Sequence, residues 1–217
     1  MEGTQITIVD HELSSETHNL YDVQIGSAAA TIETLVTNSA SMASSWISDT
    51  ERIHRQNLRG LIVGLDVEWR PSFSRNIENP VATLQLCVAR RCLVFQLIHA
   101  DDSAPTSLAD FLRNPDYRFV GVGVAADVEK LLLDYQLSVR NAVDLGDLAA
   151  RVRDDRSLKS AGLKGLARLV LGMEIEKPKR ITMGRWDNRW LTSDQVRYAC
   201  VDAFVSFEIG KKLINGD

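Results

Sequence analysis

The chain is short of several things, and each shortage narrows what it is. Cysteine is scarce, with three in 217 residues: Cys87, Cys92 and Cys200. The number is odd and the spacing fits no metal module, so neither a disulfide framework nor a zinc site is expected. Each thiol has apolar neighbours, which predicts buried free cysteines and a reducing compartment. No apolar run approaches the roughly 18 residues that a membrane helix requires. The opening Met1-Glu2-Gly3-Thr4 has no basic start and no apolar stretch behind it, as a secretory leader would. The expectation is a soluble intracellular protein with no membrane partner, cytoplasmic, with the nucleus as the alternative. Positive charge is not in excess either. Lys and Arg total 25 against 29 Asp and Glu, a formal net charge of −4. No global basic field exists to hold a polyanion, so any such attraction must be local or supplied by bound metal. Internal repeats and low-complexity tails are also missing.

What is present is an ordinary globular composition, 45% apolar and 25% charged, enough for a sizeable core. The chain is organised around residues 61–69, Leu-Ile-Val-Gly-Leu-Asp-Val-Glu-Trp. A short apolar run of this kind predicts a buried strand. Residues i and i+2 of a strand share a face, roughly 6–7 Å apart. Asp66 and Glu68 therefore point the same way, while Leu65 and Val67 pack on the other side. Two acids at the end of a buried strand are costly unless they are paired, hydrated or bound to a cation. Hard-cation binding by oxygen ligands is one reading; a strand end with its acids in water is the other.

The remaining segments follow in order. Residues 4–9 alternate and predict a strand. Residues 21–25 and 31–36 predict a hairpin turning at 26–28. Residues 39–55 have helical spacing, with Met42, Trp46 and Ile53 on the buried face. This part, residues 1–57, is expected to be an extension packed on a main domain, residues 58–217. In that domain 81–88 and 92–98 complete an antiparallel meander with the central strand. A short helix at 107–113, a strand at 119–124, a helix from 125 and a strand at 141–145 come next. An amphipathic helix at 158–171, a basic loop at 176–180 and a capping box at Thr192-Ser193-Asp194-Gln195 lead into a last helix that ends near 213. Strands as a meander, then strand and helix alternating, predict an α/β fold with a mixed five-stranded sheet flanked by helices.

Two further acids could join the first pair. Asp127 lies in the first turn of the helix after the fourth strand, where it either complements the helix dipole or faces a site. Tyr198 and Asp202 are i and i+4 on the last helix and share a face among apolar neighbours. They are either a buried hydrogen-bonded pair or two members of a site. Together Asp66, Glu68, Asp127 and Asp202 would carry four negative charges, which two Mg²⁺ ions would balance. Two such ions can stabilise both the attacking and the leaving oxygen of a phosphodiester.

At this point the motifs become specific. Asp66-x-Glu68, then Val120-Gly121-Val122-Gly123-x-x-x-Asp127, then Tyr198-x-x-x-Asp202-Ala203 resemble the ordered motif set of the DEDDy 3′→5′ exonucleases. These form part of the DnaQ-like branch of the ribonuclease-H-like superfamily. Residues 145–149, the Gly162-Leu163-Lys164-Gly165-Leu166-Ala167 helix and Trp186…Leu191-Thr192…Gln195 are also similar to the Werner-syndrome-protein exonuclease domain. Tyr21-Asp22-Val23 and Trp46-Ile47 resemble a plant group, the RISC-interacting clearing exoribonucleases. The resemblance implies a ribonuclease-H-like fold and two Mg²⁺ ions, with Mn²⁺ as a substitute. It implies that Asp66 bridges both ions, that Glu68 binds one and aligns the attacking water, and that Asp202 is the last ligand. Asp127 would act through water, and Tyr198 would align the nucleophile. The histidine subclass would carry His where this chain has Arg197, so the tyrosine subclass is implied. Trp190 departs from the pattern, standing where many relatives have proline. The plant likeness further implies single-stranded RNA 3′ ends as substrate, a ring-like homo-oligomer such as a hexamer, an Argonaute or RISC component as partner, and a part in RNA silencing.

Two other functions remain open at this level: a 3′→5′ exodeoxyribonuclease in DNA repair, and a noncatalytic nucleic-acid-binding module. A basic cluster of Lys177, Lys179, Arg180, Arg185 and Arg189, with Trp186 and Trp190 between, is the candidate for phosphate contact and base stacking. Of these, Lys179, Arg180, Arg185 and Trp186 are the expected substrate-binding residues. Val120-Gly121-Val122-Gly123 resembles part of a dinucleotide fingerprint, but Asp127 stands where the third glycine belongs. Asp144 and Asp147 are expected to cap the following helix.

Overall fold

The computed structural model describes residues 4–26, 30–72, 78–100 and 104–216. Three strands open the chain: β1 (Ile6–Asp10), β2 (His18–Ile25) and β3 (Ala30–Thr37). They pair antiparallel in sequence, with Asp22 opposite Val9 and Glu33. The expected hairpin is therefore present; of its expected turn at 26–28, Gly26 has φ +77° and residues 27 and 28 lie outside the described residues. Helix α1 (Ala40–Ile53) follows, with Ser39 as its cap. Its buried stripe is Ala43, Trp46, Ile47 and Thr50. Ile53 does not join that stripe as expected. It is half exposed, on the last turn, where the chain leaves for solvent through residues 55–57.

Then come β4 (Ile62–Trp69), β5 (Val81–Val88) and β6 (Arg91–Phe95), the antiparallel meander. Helix α2 (Thr106–Arg113), strand β7 (Arg118–Gly121), helix α3 (Val124–Tyr135), strand β8 (Ala142–Asp144) and helix α4 (Leu145–Val152) follow. Strand β7 stops three residues before the expected end. Gly123 has φ +68°, a left-handed conformation that turns the chain straight into α3. The expected single helix at 158–171 is broken. Arg156–Ser160 is a 3₁₀ turn, Gly162 is extended, and α5 (Leu163–Leu166) widens into a π-helical turn at Ala167–Leu171. The apolar face survives the break, because Leu163, Leu166, Ala167 and Val170 are all buried. A short α6 (Lys179–Thr182) occupies part of the expected basic loop. The last helix, α7 (Ser193–Asn215), starts at the expected capping box: Thr192 and Gln195 hold each other's backbone N–H.

The sheet order is β1-β2-β3-β6-β5-β4-β7-β8. The five strands expected from residue 61 onward lie together as β6-β5-β4-β7-β8. The N-terminal strands lengthen that same sheet to eight, since β3 pairs parallel with β6 from Glu33↔Arg91 to Thr37↔Phe95. The extension packs on the rest by satisfying the backbone groups of an edge that would otherwise be open. Two apolar layers cover the sheet. One gathers around Trp46, Phe95, Leu108, Phe111 and Phe119 beneath α1, α2 and α3. The other gathers around Trp186, Leu145, Leu166 and the buried face of α7. All three cysteines are free and buried, as expected. Among the described residues no helix is long and apolar enough to cross a membrane.

Candidate active site

Strand β4 alternates as its sequence requires. Val63, Leu65 and Val67 are buried in the layer beneath α1–α3. Ile62, Gly64, Asp66 and Glu68 therefore face α7. The glycine on that face decides how close the helix comes. A Cβ placed on Gly64 would lie 1.9 Å from the Ala203 carbonyl oxygen and 2.9 Å from the Phe207 nitrogen. Farther along α7, a Cβ on Gly210 would meet Val120 of β7 at 2.8 Å. Two missing side chains thus seat α7 against β4 and β7. That seating carries Tyr198 and Asp202, one turn apart, to the acidic end of β4.

There the oxygens of Asp66, Glu68 and Asp202 lie within 4.8 Å of one another. Asp202 is almost fully buried, and Oδ2 of Asp66 is buried with no hydrogen-bond partner among the described residues. Asp127 stands in the first turn of α3, aimed by the Gly123 turn, whose N–H donates to Asp144 Oδ2 at 2.7 Å. It is outside the 4.8 Å group, yet its charge acts on both Asp66 and Glu68. Asp144 is a structural cap, accepting from the Gly146 and Asp147 backbones, and Asp147 pairs with Lys159.

Burial and like charge dominate the electrostatics. Burial first, and then Asp202, Glu68 and Asp127, drive the Asp66 carboxyl well above the usual carboxylate range. Burial and Asp202 push Glu68 up to about 8. Burial pushes Asp127 up to about 7, against the pull of Lys177. Asp202 is also raised by burial, although Lys177 and the Tyr198 hydroxyl both favour its charged form. Tyr198 is displaced upward by burial and by the Asp202 charge, and its hydroxyl donates to Asp202. A phenol so placed keeps its proton, so it orients and donates rather than acting as a base.

One cation enters this group. Lys177 Nζ lies 2.5 Å from Asp202 Oδ2 and 5.4 Å from the centre of the Tyr198 ring. From the sequence Lys177 belongs with the basic loop; in the structure it belongs to the acidic pocket. No local signal reveals this, because it lies 25 positions before Asp202 in the chain. The role of Gly64 is equally hidden, since a glycine in a strand reads only as a weak point.

The donor set fits a hard divalent cation. It offers carboxylate oxygens only, closely spaced, with one buried oxygen lacking any partner. That chemistry selects Mg²⁺ or Mn²⁺ over softer metals.

A family profile described as "3′-5′ exonuclease" matches residues 34–215. The chain belongs to the 3′–5′ exonuclease family. An Arabidopsis thaliana 3′-5′ exonuclease is 37% identical over 154 residues, covering 70% of this chain and 52% of that protein. The mouse bifunctional 3′-5′ exonuclease/ATP-dependent helicase WRN is 36% identical over 160 residues, 72% of this chain but 11% of its own length. The chain thus spans about half the first relative and a small part of the second. Escherichia coli RNase D shares the fold, with a TM-score of 0.68 at 19% identity, over 83% of this chain and 44% of that one.

Among the described residues, none of the expected substrate residues pairs with Asp66, Glu68, Asp127 or Asp202. Lys179 is exposed, Arg180 pairs with Asp194 at 2.9 Å, and Arg185 lies 3.6 Å from Asp187. Trp186 corrects an expectation. It is fully buried, 6.1 Å from the Tyr198 ring centre, and cannot stack a base. Its bulk instead fills the core beside the tyrosine. Trp190 is the tryptophan of this loop that faces solvent, 59% exposed.

Proposed function

We propose that this chain is a metal-dependent 3′→5′ exonuclease that removes nucleoside 5′-monophosphates from single-stranded RNA. The observation that carries the reading is the convergence of Asp66, Glu68 and Asp202 oxygens within 4.8 Å at the crossing of β4 and α7. Asp66, Glu68 and Asp202 would hold the divalent ions, with the Asp127 carboxylate as the further acid of the set. When bound, such a pair lowers the pKa of water and balances charge on the leaving oxygen. Asp66 is central because its buried, unpartnered oxygen can be satisfied by a cation. Glu68 and Tyr198 orient the attacking water, the carboxylate by accepting from it and the phenol, whose one proton goes to Asp202, through its oxygen lone pairs. The apolar layer around Trp186 and Val196 keeps bulk solvent from the back of the pocket.

The preference for RNA draws on the likeness of Tyr21-Asp22-Val23 and Trp46-Ile47 to the plant exoribonucleases. The same likeness supports cytoplasmic work beside an Argonaute complex in RNA silencing and assembly into a ring-like homo-oligomer. The division into an extension at 1–57 and a catalytic domain at 58–217 belongs to the same proposal. The test is degradation of matched RNA and DNA oligomers, 5′-labelled, with Mg²⁺ and with chelator. Stepwise shortening of RNA from the 3′ end, stopped by chelator, is expected. Faster loss of the DNA oligomer overturns the substrate, and digestion unaffected by chelator overturns the mechanism.

A further inference from the structure

Lys177 sits where a metal-dependent site has no obvious use for it. Its ammonium is 2.5 Å from Asp202 and lies over the Tyr198 ring. Asp66 and Glu68 act on it as well. It thus takes the part of a cation among carboxylates that repel one another. Its attachment differs from that of the acids. Asp66, Glu68 and Asp202 are fixed on a strand and a helix, whereas Lys177 belongs to a stretch, 172–178, without helix or strand. That stretch is pinned on both sides of the lysine. Ile175 is 1% exposed, and the Glu174 backbone is tied to Thr4 in both directions at 3.3 and 3.1 Å. Pro178 opens α6 on the other side. Only the four-carbon stem is free to move, and the side chain is 36% exposed, so a path to solvent is open.

We propose that Lys177 is a tethered counter-cation that competes with divalent metal for the acidic pocket and so sets the metal concentration at which the site loads. In the metal-free protein the ammonium balances part of the carboxylate charge and holds Asp202 in place. A divalent ion bound by Asp202 cannot share it with an ammonium at 2.5 Å without strong like-charge repulsion. The stem therefore swings outward on loading, and the ammonium comes to rest at the mouth of the pocket. The tether makes the competition intramolecular, so its strength depends on the linker rather than on any solute concentration. The inference rests on the metal-site reading above.

The test is Mn²⁺ binding to the full chain by calorimetry, in wild type and in the Lys177→Met, Lys177→Arg and Asp66→Asn variants. Lys177→Met is expected to bind Mn²⁺ roughly tenfold more tightly, because a cation at contact distance has been removed. Its metal-free melting temperature is expected to fall while its metal-saturated one stays near wild type. Lys177→Arg, still cationic, is expected to stay near wild-type affinity. A second measurement needs no variant: the labelled lysine side-chain amine resonance of Lys177 is expected to move toward those of exposed lysines as Mg²⁺ is added. Wild-type binding that Asp66→Asn abolishes and Lys177→Met leaves unchanged or weaker overturns this inference alone. An unmoved Lys177 resonance at saturating Mg²⁺ does the same. Absence of any Mn²⁺ binding sensitive to Asp66→Asn overturns the metal site itself, and this inference with it.

Discussion

Two aspartates near the end of β4 have opposite fates. Asp187, on the loop before α7, meets Arg70 at 3.1 Å and Arg185 at 3.6 Å. Burial raises its carboxyl, but the two guanidiniums outweigh burial and hold it below the usual carboxylate range. Asp66, four residues before Arg70, has no arginine partner among the described residues. It faces three other carboxylates; Asp187 Oδ1 is likewise buried without a hydrogen bond, but it has the Arg185 guanidinium 3.6 Å away, whereas the buried Asp66 Oδ2 lies among like charges. The fold has cations nearby and has placed them on Asp187. A carboxylate left short of charge beside one that is well supplied marks where an external cation belongs. Asp187 holds a loop in position; the role proposed for Asp66 is to bind a cation.

Removing the charge at Asp66 is the most direct way to break the contrast. Asp66→Asn is expected to reduce exonuclease turnover by at least about 10²–10³-fold, the range for a group that stabilises transition-state charge. Release of mononucleotide from a labelled oligomer measures it. Next in size is the support beneath the site. Gly64→Ala puts a methyl group 1.9 Å from the Ala203 carbonyl. The helix must shift, at an expected cost of roughly 1–3 kcal/mol or more, read from urea unfolding. Because Asp202 is one residue before Ala203, Mn²⁺ affinity should drop along with stability. Lost stability with unchanged affinity would show that the pocket does not depend on how closely α7 sits.

How much of this was legible in the sequence depends on the range of the cause. The acids of the site were legible because strand and helix periods fix which side chains share a face. Asp66 and Glu68 follow from period two, Tyr198 and Asp202 from i, i+4. The capping box was legible for the same reason: Thr192 and Gln195 satisfy each other within one turn. What the sequence hid depends on distant partners. Nothing local in β3 says that it pairs parallel with β6 and makes the extension part of the sheet. Trp186 among basic residues reads as a stacking platform, and only the packing of α7 shows that it is buried core. Lys177 reads as one more loop cation until Asp202 is placed beside it. Ile53 keeps the helical period but falls past the end of the surface that its helix covers.

The same contrast predicts opposite pH behaviour in metal-free protein. Glu68 is pushed up to about 8 and Asp127 to about 7, both mainly by burial. In the unfolded chain both return to the ordinary range near about 4. In that interval the folded protein binds more protons than the unfolded chain, so stability declines as pH rises. The loss begins above the ordinary carboxylate range and is complete above about pH 8. Asp187 works the other way. Its folded pKa is depressed, so its contribution is present above the ordinary range and is lost only on acidification. Thermal melts in chelator, from about pH 5 to pH 9, should therefore show a falling melting temperature that saturating Mn²⁺ flattens. A melting temperature that rises over this range in chelator would contradict the burial of Glu68 and Asp127.

The smallest effect is expected at the well-supplied aspartate. Asp187→Asn removes the partner of Arg70, whose side chain is 47% exposed, and of Arg185, which is 64% exposed. Ion pairs this open to water contribute no more than about 1 kcal/mol. The loop has other anchors: Gln96 Nε2 donates to the Asn188 and Arg189 carbonyls at 3.2 and 3.0 Å, and His99 Nε2 meets the Asp187 carbonyl at 2.9 Å. Those bonds use the loop backbone and survive the substitution. Asp187→Asn should therefore leave Mn²⁺ affinity within about twofold of wild type, since less than about half a kcal/mol reaches the site. Calorimetry beside Asp66→Asn provides the comparison. If Asp187→Asn abolished metal binding as Asp66→Asn is expected to, the division between a structural and a ligand-binding carboxylate would fail, and the arginines would have to be counted as part of the metal site.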